Sequence, residues 1–237
     1  MFAIKYITAG EMLAYMRQSV WMSCVVISAF MAFFFLTEPT LSHSQVYDQF
    51  IISQTVTAEI SFLATANDVT MSPSIPGLTG GTANGVTQVR VYTNNATGYS
   101  MTIAASGTPA MQGVSQGGTI PNYTSAATGV PDFTFSVGAN TGEFGYTVSA
   151  STTSDLAQKF LDNGTTCNVG SADTSTSASC WYGLSTTATS TINRTTPTAA
   201  SGATTTLFFR TQITSNPVPS IPEDIYIATT TLTATTN

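Results

Sequence analysis

Apolar side chains fill one uninterrupted stretch near the beginning of the chain. Residues 19–36 contain no charged side chain, and this is about the length that an α-helix needs to cross the core of a bilayer. Lys5 and Arg17 precede the stretch, so the positive-inside tendency keeps that end cytoplasmic and sends the following residues outward. We predict a hydrophobic α-helix that is the membrane or filament-core contact, with these side chains: Trp21, Val25, Phe30, Phe33, Phe34 and Leu36.

Two fates of this segment stay open. As a secretory signal peptide it would be cleaved near the small-x-small sequence Ser42-His43-Ser44, and as a signal-anchor it would be retained. The apolar run is longer than the roughly 7–15 residues usual for a signal core, which favours retention. Gly10-Glu11-Met12 contains the residue types of a type IV prepilin cleavage site. Their order differs, because Glu11 directly follows the glycine instead of lying five residues into the apolar helix. We assign residues 1–44 to the helix and its linker.

From Gln45 onward, apolar and polar side chains alternate with a period of two. The apolar face contains Phe50, Ile52, Val56, Ala58, Ile60 and Phe62. This alternation predicts a half-buried strand of about thirteen residues, against a usual length of five or six. A strand of that length overhangs its sheet or leaves an open edge that another chain can join. We therefore predict that five of these residues mediate assembly: Phe50, Ile52, Val56, Ile60 and Phe62.

The rest of the chain also alternates, in shorter pieces separated by turns rich in Gly, Pro and Asn. Further strands are predicted at 87–92, 99–103, 133–137, 144–148, 207–213 and 225–235, with a short helix-like segment at 155–161. The first two of these strands are expected to form a hairpin across the turn at 94–98. The fold class is therefore mainly β: an antiparallel, immunoglobulin-like β-sandwich over residues 45–237, preceded by one N-terminal hydrophobic α-helix.

The cysteines fit an exported chain. Cys24 lies in the apolar helix, which leaves Cys167 and Cys180 in the exported part. Two cysteines at this separation in a loop rich in Gly, Ser and Asn predict one disulfide. The alternative is a pair of free thiols, and a zinc site would need more ligands.

Several sequence strings carry a family resemblance over most of residues 56–237. They are ANDVTMSP at 66–73, IPGLTGGTANG at 75–85, VYTNNATGY at 91–99, FLDNG at 160–164, CWYGLS at 180–185 and IATTTLTAT at 227–235. They resemble a group of exported Thr/Ser-rich β-sandwich proteins from the ultrasmall bacteria of the candidate phyla radiation (Patescibacteria). The resemblance implies a cell-surface location and a sandwich fold. It implies no established activity, so no catalytic residue is carried over.

Composition excludes one class of partner. Charged residues make up 8% of the 237 residues, against about 25% in an average protein, and the net charge is −6. A nucleic-acid binder needs a basic surface, which six scattered Lys and Arg residues do not provide. Ser and Thr together make up about 30% of the chain, so we expect hydroxyl groups, rather than charges, to hydrate its surface.

Candidate chemistry in the exported part is sparse. The single histidine, His43, lies in the linker, so histidine-based nucleophilic catalysis is excluded there. Lys159 has no serine partner motif, and the ten exported carboxylates look like isolated turn or surface residues. We predict a protein that is not an enzyme and that has no catalytic, cofactor or metal site.

Two further features have competing interpretations. The loop from Asp162 to Asp173 could gather calcium ligands, but Asx turns that cap the disulfide loop are favoured. Trp181 could be a sugar-stacking platform together with Tyr182, but a tryptophan packed against the disulfide in the sandwich core is favoured.

The helix and the long strand together predict a function. We expect an exported structural subunit of a cell-surface filament (pilus-like) or coat, with copies of itself as partners and residues 19–36 in the membrane at least before assembly. The alternative is a membrane-anchored adhesin or glycan-binding module that exposes an aromatic platform.

Overall fold

A computed structural model of the chain describes residues 9–36, 47–173 and 179–237, without the side chains of 34–36. The chain forms two units, Met1–Gln54 and Thr55–Asn237. The linker histidine His43 and the cleavage sequence around it lie outside the described residues, as does Lys5.

The first unit contains the predicted helix, α1, which spans Ala9–Leu36. It begins ten residues before the apolar run, so it includes Glu11 in its first turn, and Arg17 and Gln18 further along. Its 28 residues correspond to about 42 Å at 1.5 Å per residue, so the helix is long and apolar enough to cross a bilayer. The hydroxyl group of Ser28 donates to the carbonyl oxygen of Cys24, so this polar group has a hydrogen-bond acceptor within the helix.

The second unit consists of short strands, and every pairing between them is antiparallel. In the described residues they are β1 (Ile60–Ala64), β2 (Gly81–Thr93), β3 (Tyr99–Ala105), β4 (Met111–Gly113), β5 (Thr119–Ile120), β6 (Gly142–Ala150), β7 (Tyr182–Gly183), β8 (Thr189–Arg194), β9 (Ala203–Ile213), β10 (Tyr226–Ala228) and β11 (Thr230–Thr236). They form a five-stranded sheet in the order β1-β2-β9-β6-β7, a three-stranded sheet β11-β3-β8, and a small sheet β10-β4-β5.

The two larger sheets pack face to face, and their inward side chains form one hydrophobic core. Val89, Val148 and Leu207 of the five-stranded sheet join Met101 and Ile103 of β3 in this core. All five side chains are at most 1% exposed. The predicted fold class, a mainly β antiparallel fold after an apolar helix, is confirmed, while the immunoglobulin-like arrangement of its strands stays a prediction.

The predicted hairpin at 94–98 is wrong, although both of its strands exist. β2 pairs with β1 and β9, whereas β3 pairs with β11 and β8, so the turn carries the chain from one sheet to the other. The apolar faces of both strands point into the same core, and a crossing between sheets buries both faces at once. Gly98 makes the crossing tight, because its φ is +77° and a Cβ atom there would lie 2.1 Å from the carbonyl oxygen of Arg194.

Three other predicted elements differ from the structure. Residues 133–137 alternate in burial but form no strand, since the bridge between Asp132 and Trp181 ends just before this segment. The helix-like segment is two single 3₁₀ turns, Thr153–Asp155 and Gln158–Phe160. The closing strand is divided at Thr229, where the chain leaves the small sheet as β10 ends and enters the three-stranded sheet as β11.

The predicted thirteen-residue strand is also wrong in length. Only its last part becomes β1, which begins at Ile60 because Ile60 lies opposite Thr93, the last residue of its neighbour β2. The chain before Ile60 therefore has no further β2 residue to pair with. Ile60 and Phe62 consequently pack, half-buried, against the core of their own domain rather than with the residues before them.

Candidate assembly surface

Residues 50–59, which we call the arm, precede β1 and belong to no strand. Phe50, Ile52 and Val56, predicted to mediate assembly, are 78%, 84% and 80% exposed. Ile51, on the opposite face of the alternation, is 95% exposed. From Phe50 to Ala58 the arm carries no charge. An alternating apolar segment that stays in solvent is typical of a surface that another molecule covers.

One side-chain amide holds the arm at its root. The backbone N–H of Glu59 donates to Asn94 Oδ1 at 2.6 Å, and Asn94 Nδ2 donates to the carbonyl oxygen of Thr57 at 3.0 Å. These bonds lie on either side of Ala58, where the N–H and C=O groups of a residue in an adjacent strand would bond. The hydroxyl group of Thr93 adds a 2.6 Å bond to the carbonyl oxygen of Glu59. Asn94 thus continues the pairing of β1 for one step after β2 has ended.

Two edge strands leave one side of the sandwich open, and we call this side the open side. In the described part of the chain, β1 pairs with β2 alone and β11 pairs with β3 alone. β1 and β11 lie near each other across the core. Their inward apolar side chains are only partly buried: Ile60, Phe62, Leu232 and Ala234.

β11 has none of the features that usually protect an edge strand. Its seven residues are Thr, Leu and Ala, without charge, proline or glycine. Natural edge strands are commonly protected by lysine, proline, a bulge or a very short length. Its pairing with β3 runs without a bulge from Thr230 to Thr236. The strand is therefore a suitable template for a further strand.

The opposite side, which we call the closed side, is covered by the chain itself. Next to β8, Leu156 forms a bridge with Ile192, and the N–H of Ala157 donates to the carbonyl oxygen of Thr191. The predicted disulfide is confirmed: Cys167 and Cys180 are joined, with their Cα atoms 5.5 Å apart, and both are buried in the core.

A salt bridge reinforces the closed side. Arg194 Nη1 of β8 contacts Asp155 Oδ2 of the first 3₁₀ turn at 2.5 Å, and both side chains are largely buried. Arg194 Nη2 and Nε also donate to the carbonyl oxygens of Pro197 and Thr196 at 2.9 Å. The guanidinium group thus ties the turn, the strand end and the following loop together.

Trp181 lies on the outer face of the five-stranded sheet, so its predicted place in the sandwich core is wrong. It follows Cys180, which points inward, and alternation turns the next side chain outward. Phe135 packs edge-on against it at 5.2 Å between ring centroids, and the guanidinium group of Arg210 lies 4.5 Å from its ring centroid. Trp181 is 1% exposed, so it offers no platform to a sugar.

A second small core therefore covers this outer face. Tyr123 stacks on Phe135 at 4.4 Å between ring centroids, and the Tyr123 hydroxyl donates to Asp132 at 2.7 Å. Burial, and then the hydrogen bond to Asp132, raise the pKa of Tyr123 well above its usual value. A Cβ atom on Gly145 would lie 2.8 Å from Tyr123 Cβ, so the absence of a side chain there makes room for the cover. Tyr182, the other predicted platform residue, lies under Lys159, whose Nζ is 4.1 Å from the ring centroid.

The loop before the disulfide contains the predicted Asx turns. Asp162 Oδ1 accepts from the N–H of Gly164 at 2.7 Å, and Asn163 Oδ1 accepts from the N–H of Thr166 at 2.9 Å. Asp173 Oδ2 accepts from the hydroxyl group of Ser149 at 2.7 Å. Within the described ranges, no three His, Cys, Asp or Glu residues lie together as a metal site requires.

Asp224 connects two parts of the small sheet. Its carboxylate accepts from the N–H groups of Gln116 at 2.7 Å, Ser115 at 2.9 Å and Ile225 at 2.8 Å. The hydrogen bond from Gln116, followed by those from Ser115 and Ile225, lowers the pKa of Asp224. These contacts assign Asp224 a structural role between the β4–β5 turn and β10.

The helix of the first unit presents apolar side chains to its surroundings. Trp21, Val25, Phe30 and Phe33 are 60–74% exposed. The side chains of Phe34 and Leu36, predicted for the same surface, lie outside the described ones. Helix and disulfide together are consistent with export, and the helix is consistent with either a signal sequence or an anchor.

Of the five predicted assembly residues, the structure separates three from two. Phe50, Ile52 and Val56 belong to the exposed arm, whereas Ile60 and Phe62 line the open side. Sequence reasoning missed Asn94 as the root of the arm and β11 as an edge. The lack of charge and proline in 230–236 is the signal that could have revealed the edge. Comparison of the chain with protein-family models and with curated proteins finds no match.

Proposed function

We propose that this protein is an exported structural subunit of a cell-surface filament or coat, and that its partners are copies of itself. The observation that carries the proposal is the exposure of an alternating, uncharged apolar arm directly before the first strand of the sandwich. Such a segment gains from lying beside another strand, where its apolar face is buried.

The arm alone is too small a contact for a stable polymer. Burying a large apolar side chain removes roughly 60–120 Å² of apolar surface from water. Phe50, Ile52 and Val56 together therefore supply less than the approximately 800 Å² that each partner buries in a standard interface. A second contact is needed, and the apolar surface of α1 is the candidate, first in the membrane and then between packed helices.

A contact between two different surfaces of the same chain has a geometric consequence. The arm of one subunit meets another part of the next subunit, so the interface is head-to-tail. Head-to-tail interfaces that do not close into a ring produce open filaments. An uncharged, hydroxyl-rich surface also serves a surface polymer, since salt has little charge to screen.

The test uses the full chain expressed in cells, with electron microscopy and sedimentation of surface material as measurements. Replacing Phe50, Ile52 and Val56 together by serine is expected to abolish polymers, because the apolar face of the arm is lost. Ile51→Ser, on the opposite face, is the matched control and should leave polymers in place. Unchanged polymers in the triple variant would contradict the proposal.

The adhesin alternative lacks the feature that it requires. It needs an exposed aromatic platform, and Trp181 is buried beneath Phe135 and Arg210. The adhesin or glycan-binding role therefore stays a prediction.

A further inference from the structure

Resting on the proposed function, we infer that the arm of one copy pairs with the free edge of β11 on the open side of a second copy. The acceptor is the β11 edge, and its occupant is residues 50–56 of another copy of this chain.

The backbone of β11 has hydrogen-bonding groups available for such a strand. The N–H of Ser106 donates to the carbonyl oxygen of Thr229, and the N–H of Asn237 donates to that of Gly98. Both pairs follow the register of β11 with β3, so the odd-numbered residues of β11 exchange hydrogen bonds with β3. The N–H and C=O groups of Leu232 and Ala234 therefore point away from β3, toward the open side.

The side chains at this edge match the arm. Leu232 and Ala234 are half-buried, and Ile60 and Phe62 lie near them across the core, also half-buried. A strand added beside β11 with one apolar face inward would cover these groups. In the arm, Phe50, Ile52 and Val56 form most of that face, which also includes the uncharged side chain of Gln54. The segment 50–56 has the same seven-residue length as β11.

Charge is compatible with this pairing, and strand length and coverage favour it over the competing edges. Neither 50–56 nor β11 carries a charged side chain, so no ion is buried when they meet. β1, the other edge of the open side, has only five residues and a register shift between Phe62 and Ala64. The edges beside β7 and β8 are bridged by Asp132 and Leu156 of the same chain.

The occupant is another copy because the arm is exposed and does not lie on the β11 edge of its own chain. Asn94 bonds the chain on both sides of Ala58 and Thr93 bonds Glu59, which keeps this step beside the end of β2. In the described residues, β11 of the same chain pairs with β3 alone, so its outer edge stays available to the arm of a second copy.

Cysteine cross-linking between two tagged, full-length copies tests the assignment, with Cys24→Ser as the background. One copy carries Ser53→Cys, and the other carries Thr231→Cys, Thr233→Cys or Thr235→Cys. These side chains are exposed and lie on the outer face, where paired residues of adjacent strands have Cα atoms about 4.5–5.5 Å apart, within disulfide range. Polymers are expected to contain a disulfide-linked heterodimer, strongest for the residue in register. Ser190→Cys on β8 is the matched control and should give none.

A backbone variant tests the edge without cysteines. Ala234→Pro removes an N–H that points away from β3, so the domain should keep its melting temperature, while assembly weakens about tenfold, the value of one lost hydrogen bond. Thr233→Pro removes an N–H that is bonded to β3 and should instead lower the melting temperature.

The outcomes separate this inference from the proposed function. Polymers in which Ser53→Cys forms no disulfide with any β11 variant overturn the acceptor assignment and leave the filament proposal standing. A disulfide with Ser61→Cys of β1 has the same consequence. A link that forms only when both cysteines are in one chain also overturns it, because the arm then folds onto its own domain. A full-length chain that never polymerises overturns both.

Discussion

The two sides of the sandwich solve the problem of sheet edges differently. On the closed side, a disulfide loop, two 3₁₀ turns and the Arg194–Asp155 salt bridge cover the end strands. On the open side, β1 and β11 have one strand neighbour each, and their inward side chains remain half-buried. The same chain therefore covers one pair of edge strands and leaves the other pair uncovered. An uncovered edge in such a chain is consistent with a surface that a partner strand covers.

The largest expected effect compares the same residue type in the two environments. Leu207 is 1% exposed in the core, so Leu207→Ala should reduce the free energy of unfolding by about 2–5 kcal/mol. Leu232 is half-buried at the open side, so Leu232→Ala should cost about 1 kcal/mol in the monomer. Urea unfolding of the domain measures both, and equal losses would contradict the distinction between the two sides.

Removing the disulfide of the closed side should have the next largest effect on stability. Replacing Cys167 and Cys180 together by serine opens a loop with a sequence separation of 13, and a loop of that size is worth about 3 kcal/mol. The melting temperature measures the loss. Cys24→Ser is the matched control, because this cysteine is exposed on the helix and unpaired, and it should leave the sandwich unchanged.

Alkaline pH should destabilise the core, where the side chains of Tyr99 and Tyr146 are buried. Burial raises the pKa of Tyr99 from 10.0 to about 12, and it raises that of Tyr146 further. The stabilisation by these neutral hydroxyl groups is fully present below pH 10 and is lost as the pH rises through 12. Urea midpoints measured between pH 8 and pH 12 should fall above pH 10. Tyr99→Phe should reduce that fall, and an unchanged slope would show that Tyr99 does not contribute.

The smallest expected effect concerns the root of the arm. Asn94→Ala removes two exposed hydrogen bonds, so the free energy of unfolding should change by less than about 1 kcal/mol. The amide hydrogen of Glu59 should nevertheless exchange faster, because it loses its acceptor. Asn95→Ala changes the adjacent residue and should leave that exchange rate unaltered. Equal acceleration in both variants would mean that the whole turn, rather than the amide of Asn94, holds the arm.

Alternation along the sequence predicted most strands of the two larger sheets, although it missed β7 and β8. Val89 and Val91 of β2 point inward as predicted, and so do Phe144, Tyr146 and Val148 of β6. The cysteine pair predicted the disulfide, because composition and spacing decide that chemistry locally. Export through an N-terminal helix fits what the structure contains.

Pairing was the part that the sequence could not supply. A period of two describes an extended chain with two faces, and it does not say whether a neighbouring strand exists. Residues 50–59 and 133–137 both alternate, yet neither pairs as a strand. For the first segment β2 ends at Thr93, and for the second the bridge at Asp132 lies just before it. The prediction placed Trp181 in the sandwich core beside the disulfide. Cys180 points inward, and the alternation of the strand turns the next residue, Trp181, outward.

The arm and the open edge lie on different parts of one chain, and this has a consequence for how the proposed polymer would stop growing. A copy that begins at Thr55 would keep its β11 edge and have no complete arm to offer. It could receive one neighbour and donate to none, and would therefore act as a chain terminator whose ratio to intact copies sets the average filament length.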